Sequence, residues 1–166
     1  TEIYTLSLHD ALPIYIYNRQ RSVPVSSVYL KKNIRNVLER LGAAQAEISV
    51  VIMMDRGIRV INKKFLSHDF PTDVITFDLS DGDPARDKGL EMKRLEGEIY
   101  VSAETAARQA EKLGVPFEQE CLLYIIHGIL HLLGYDDRTT ADRKRMRRRE
   151  REMLKFIGRQ TGESAC

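Results

Sequence analysis

Cysteine is scarce. Cys121 lies in an apolar run and Cys166 is the last residue, and the two make neither a disulfide framework nor a CxxC site. We therefore expect a reducing, cytoplasmic setting. Long hydrophobic runs are missing too: no stretch of about eighteen apolar residues occurs, so no membrane-spanning helix is expected. No repeat, linker or low-complexity tract divides the chain. Its 166 residues, 43% hydrophobic and 30% charged, suffice for one domain with a real core. Histidine is rare at four residues, so the positions of the histidines are informative.

Residues 1–14, TEIYTLSLHDALPI, can be back-translated codon for codon into a standard short-read sequencing adapter. We expect them to be a sequencing-adapter or assembly scar and set them aside, an ordinary amphipathic leader being the alternative. His9 drops out with them. Without Glu2 and Asp10 the remainder carries 26 basic against 22 acidic residues, a formal charge of +4. The surplus is concentrated: from Arg138 to Arg159 ten Lys or Arg face only Asp142, Glu150 and Glu152, giving +7 there and leaving −3 elsewhere. Such a block suits a polyanion such as RNA, while a solvated helix face is the plainer explanation.

Periodicity and punctuation predict an α+β domain. YIYN near Tyr15 and EISVVIMM (Glu47 to Met54) have strand character, and Ser26 or Ser27 can cap a helix between them that Gly42 ends. A short helix over Arg56 to Leu66 precedes FPTDVITFDLS, where Pro71 blocks helix and Val74, Thr76 and Phe77 favour strand. Ser80 to Gly89 is a polar loop. LEGEIYVS gives a fourth strand, and Ser102 caps the helix of AETAARQAEKLG. After Gly114 and Pro116 an apolar helix runs from Phe117 to Leu133, and Thr139 with Asp142 opens the basic helix in the manner of a capping box. The expected architecture is one domain, 15–166, with a small mixed sheet of about four strands packed with helices.

The apolar helix ends in HGILHLLGYDD, residues 127–137. Residues four apart in a helix differ by about 40° around the axis and about 6 Å along it, so His127 and His131 share a face and can share one ion. Gly134 can adopt left-handed backbone angles and stop the helix, which lets the chain turn back and bring Asp136 or Asp137 toward the histidines. An isolated HxxxH pair is commonly a hydrogen-bonded core feature. The glycine stop and the adjacent carboxylates favour ligation. The glutamate of HExxH is absent, since position 128 is Gly, so this is a metal pattern without that class's built-in base.

The stretch resembles the YbeY-type endoribonucleases that mature ribosomal RNA, marked by H-G-x-L-H-L-x-G-Y-D-H; only the last position differs, being Asp137 here. A second block, NKKFLSHDFPTDVITF (Asn62 to Phe77), is similar to the family's N-x-x-Y-R-x-x-D-x-P-T-D-V-L-S-F, and GEIYVS (Gly97 to Ser102) to its G-D-I-x-I-S. The resemblance implies a metal-dependent endoribonuclease specific for single-stranded RNA. It also implies ribosomal RNA and the small ribosomal subunit as partners, and zinc as the divalent ion. It places the metal ligands, which are also the catalytic centre, on His127, His131 and Asp137.

Two departures bear on mechanism. Asp137 stands where the family has its third zinc-binding histidine; a carboxylate there should reduce Lewis acidity and favour harder ions such as manganese or iron. Leu66 stands where the family has an arginine for the phosphate. Positive charge must then come from Lys63, Lys64, His68 or Arg138, with Arg145, Arg148 and Arg149 on the basic helix as further RNA contacts. Two other functions fit the same residues: a metal-dependent hydrolase of a non-RNA substrate, and an RNA-binding ribosome-assembly factor whose catalysis Asp137 and Leu66 have weakened.

Overall fold

The structure, a computed structural model, describes residues 13–43, 45–80 and 95–162. Four strands and five helices follow one another as β1 (Ile14–Asn18), α1 (Ser27–Arg40), β2 (Ala46–Met53), α2 (Asp55–Leu66), β3 (Val74–Asp78), β4 (Leu95–Ser102), α3 (Ala103–Leu113), α4 (Phe117–Leu132) and α5 (Thr140–Thr161). This is the expected α+β domain. Among the described residues no helix is long and apolar enough to cross a membrane.

The strands form one mixed sheet in the order β1-β2-β4-β3. β1 and β4 flank β2 in parallel, with Ile16 opposite Val50 and Val50 opposite Ile99, while β3 runs antiparallel to β4. The parallel pairs follow from the long connections that intervene, α1 between β1 and β2, and α2 with β3 between β2 and β4, since parallel neighbours need a long crossover. Alternate residues of β2 (Ala46, Ile48, Val50, Ile52) and β4 (Leu95, Ile99, Val101) are buried, the period-two pattern of a sheet that seals one face.

Local chemistry sets the helix boundaries. Ser26 Oγ accepts from Tyr29 N (3.2 Å), Ser102 Oγ from Thr105 N (3.2 Å) and Thr139 Oγ1 from Asp142 N (3.1 Å), each satisfying a donor that has no partner inside its helix. Helix α4 crosses the sealed face of the sheet and packs between α1 and α5, burying Leu122, Ile125, Ile126, Ile129 and Leu130. Its approach is close. A Cβ at Gly128 would lie 2.7 Å from Thr76 Oγ1 and 3.0 Å from two Ile99 carbons, and one at Gly97 would lie 2.6 Å from Leu132 Cδ1.

Residues 1–12 of the stretch read as a scar, and 81–89 of the loop read at Ser80 to Gly89, lie outside the described residues. Ile14, the last residue of the supposed scar, begins β1: it is buried and pairs with Ile48, whose N–H donates to Pro13 O at 3.1 Å.

Candidate metal centre

The turn after α4 builds the site. Gly134 sits at φ +95°; its N–H donates to His131 O (2.9 Å) and Tyr135 N–H donates to Leu130 O (3.0 Å), the paired bonds of a helix end that reverses the chain. The reversal carries Tyr135, Asp136 and Asp137 back over the last turn. Tyr135 O then accepts from His131 Nδ1 at 3.0 Å, and Asp137 Oδ2 comes within 3.5 Å of both His127 Nε2 and His131 Nε2. The two Nε2 atoms are 3.0 Å apart. Asp136 takes another course: its carboxylate accepts from Asp137 N at 2.8 Å and lies 3.4 Å from Arg138 Nε.

The second side of the site comes from α5. Glu150 Oε1 is 2.6 Å from His127 Nδ1, and both side chains are largely buried. No spacing rule connects residue 127 to residue 150. The one hint in the sequence is that Glu150 is one of only three acids in a block of ten cations. Two arginines of that block also serve the site. Arg143 Nη1 donates to Arg138 O (2.9 Å) and Asp137 O (3.2 Å), pinning the loop that carries Asp137. Arg149 Nε donates to the Tyr135 hydroxyl at 3.0 Å while its guanidinium lies 5.9 Å from the centre of that ring.

These bonds decide where the protons sit. A backbone carbonyl and a carboxylate can only accept, so both Nδ1 atoms carry hydrogen and the neutral imidazoles turn bare Nε2 lone pairs toward each other. With Asp137 Oδ2 added, three acceptors converge and none brings a proton. A cation is required there, either an extra proton or a metal. Burial alone would push the His127 pKa down. The Glu150 hydrogen bond and charge, followed by the charges of Asp137 and Asp73, outweigh it and hold the imidazole above its ordinary value. His127, His131 and Asp137 form a group that can hold a metal ion. The donor atoms make a triangle with sides of 3.0, 3.5 and 3.5 Å, a spacing that would suit an ion held at roughly 2.0–2.2 Å. The donor set fits zinc and also harder divalent ions. Gly128 explains the absent glutamate of HExxH: the sheet leaves that position no room for a side chain.

The other residues read as RNA contacts are spread over two surfaces. Lys63 Nζ is 3.1 Å from Asp69, Lys64 lies over the Phe65 ring, and His68 stacks on Phe70 with ring centres 5.3 Å apart, all on α2 and the loop after it. Leu66 is exposed there. On α5, Arg145 is paired with Asp142, Arg148 is exposed, and Arg149 is engaged with Tyr135 and with Glu152 at 2.8 Å. Arg138 is exposed at the loop.

Fold and site define a small α+β domain with a two-histidine, one-carboxylate group at the end of its central helix. The endoribonuclease YbeY family matches residues 15–158. Proteins named endoribonuclease YbeY are similar over nearly the whole chain. That of Geobacter metallireducens is 38% identical, covering 90% of this chain and 98% of its own; that of Syntrophotalea carbinolica is 39% identical, covering 87% and 95%. That of Salinibacter ruber is 34% identical, covering 87% and 92%. A Thermotoga maritima protein solved in solution superimposes with a TM-score of 0.61 at 25% identity, covering 89% of this chain and 90% of its own. The chain belongs to the endoribonuclease YbeY family.

Proposed function

We propose that this protein is a metal-dependent endoribonuclease that cuts single-stranded RNA during maturation of ribosomal RNA, working in the cytoplasm with the small ribosomal subunit. The observation that carries this reading is the convergence of three proton-free acceptors, on His127, His131 and Asp137, in a chain whose relatives are named endoribonucleases. Those three residues would hold one divalent ion, zinc by family resemblance. Bound there, the ion would supply Lewis acidity toward a phosphoryl oxygen and lower the pKa of water toward about 7.

The chain's own groups prepare that chemistry. Glu150 and Tyr135 O hold the protons on His127 Nδ1 and His131 Nδ1, which fixes both rings with Nε2 facing inward. Arg149 holds Tyr135, and Arg143 holds the Asp137 backbone. Asp137, with 44% of its side chain exposed, leaves the centre open to a strand arriving from solvent. Lys63, Lys64, His68 and Arg138, with Arg145 and Arg148 on α5, supply positive charge for the phosphates.

Elemental analysis of the purified chain and cleavage of a single-stranded ribosomal RNA fragment test the reading together. The expected result is one divalent metal per chain and cleavage that His131→Ala abolishes, while RNA binding keeps its salt dependence. Metal without RNA cleavage would indicate a hydrolase of another substrate; RNA binding with neither metal nor cleavage would indicate an assembly factor.

A further inference from the structure

Helix α5 carries a second cationic surface. At 3.6 residues per turn, Glu150 falls on one flank of the buried Met146, Met153 and Ile157 stripe, and Arg149, Phe156 and Arg159 fall on the other. Where that second flank meets the C-terminal end of α1 there is a cavity of about 350 Å³, lined by Arg40, Arg149, Lys155, Phe156, Arg159 and a single carboxylate, Glu152. Arg40 lies over the Phe156 ring, 5.4 Å from its centre, and Asn36 donates to Gln160 at 2.9 Å, so the two helices are tied together at this point.

The charges do not balance. Arg149 is paired with Glu152 at 2.8 Å, whereas among the described residues no ion pair holds Arg40, Lys155 or Arg159. The C-terminal ends of α1 and α5 each present about half a negative charge, less than these three cations offer. All three are exposed, so an anion can reach them from solvent, and the cavity has room for a nucleotide-sized group. Arg145 and Arg148 continue the same side of α5 toward its N-terminus, at the three- and four-residue steps that keep side chains on one face.

We propose that the α1–α5 cleft, on the flank of α5 opposite Glu150, is an RNA-phosphate subsite that holds a single-stranded segment flanking the cleaved position. Arg40, Lys155 and Arg159 contact the phosphates, and Phe156 is a positioning residue that holds the Arg40 guanidinium in place. The proposal rests on the reading of the chain as a single-strand endoribonuclease.

Binding of a short fluorescent 2′-O-methyl oligouridylate, titrated across salt concentrations, tests it. Arg40→Gln with Arg159→Gln should weaken binding at low salt and reduce the slope of log affinity against log salt by about 1.4, roughly 0.7 per phosphate contact. Metal content should not change. Parent-like affinity and slope in the double variant would overturn the subsite while leaving the endoribonuclease reading intact. A parent protein that binds no single strand would overturn both. Should the double variant lose its fold, photocrosslinking of a 4-thiouridine oligonucleotide to the parent decides: adducts at Arg40 or within residues 155–159 support the subsite, and adducts confined to the metal centre refute it. Equal competition by a DNA duplex would reduce the cleft to a general polyanion surface and also overturn the proposal.

Discussion

Helices α4 and α5 pack against each other and both contribute to the candidate metal centre, yet their surroundings are opposite. Helix α4 buries ten of its sixteen residues, including Leu122, Ile125, Ile126 and Ile129, and its two histidines are the only polar side chains near its C-terminal end. Helix α5 buries Met146, Met153 and Ile157 and turns a crowd of cations to solvent. The role of a residue follows from which helix holds it. On α4 a polar atom is worth its desolvation only if it is satisfied, so each imidazole Nδ1 has a defined acceptor, and the facing Nε2 atoms call for a shared cation. On α5 a single charge matters little unless it reaches inward, as Glu150, Arg143 and Arg149 do.

The strongest test of that contrast is the one α5 acid that enters the α4 environment. Glu150→Gln should weaken metal binding by about 10–100-fold, measured by competition with a chelator, because the His127 ring loses its anionic anchor. Unchanged affinity would make Glu150 a bystander.

Packing gives the next largest difference. Gly128→Ala on α4 should cost about 1–3 kcal/mol in chemical denaturation, since its methyl group meets Thr76 and Ile99 on sheet strands that cannot swing away. Arg147→Ala, on the exposed face of α5, should stay within about 0.5 kcal/mol. Equal costs at the two positions would remove the distinction between the helices.

Proton linkage at the interface of the two helices is smaller and has a defined sign. In the metal-free chain the His127 pKa is raised above 6.5, so the Glu150 pairing stabilises the fold fully below pH 6.5 and loses that contribution as pH rises through the raised value. Metal loading needs an unprotonated Nε2 and should strengthen across the same window. NMR titration of the metal-free chain checks both; a His127 midpoint at or below 6.5 would contradict them.

The smallest effect is expected at the N-terminus. We propose that residues 1–12 of the adapter-like stretch are foreign to the domain, whereas Pro13 and Ile14 serve β1; the family match beginning at Tyr15 supports this. Deleting residues 1–12, which keeps Ile14 in its β1 position, should then leave stability within about 0.5 kcal/mol and cleavage unchanged. A loss of several kcal/mol would make the leader an integral element.

Local chemistry made much of this molecule legible in advance. Ser26, Ser102 and Thr139 mark helix starts because a hydroxyl one residue before a helix finds a free N–H within three residues. The i, i+4 spacing of His127 and His131, and the left-handed Gly134, are likewise short-range facts, and they place two imidazoles on one face with a returning carboxylate. Between Asp136 and Asp137 spacing offered no choice. The turn made it, by spending Asp136 on a backbone N–H and on Arg138 while Asp137 faced the rings.

The sequence alone settled the element order, the capped helices and the histidine pair, because helix period, turn preference and capping act over a few residues. The tertiary structure decided the strand order β1-β2-β4-β3, the tight seat of Gly128 on Thr76 and Ile99, and the division of the basic block into inward and outward residues. It also brought Glu150 to His127 across 23 positions of chain. Contacts at that separation depend on how whole faces bury one another, and no local pattern encodes which acid in a cationic helix will be turned toward the core.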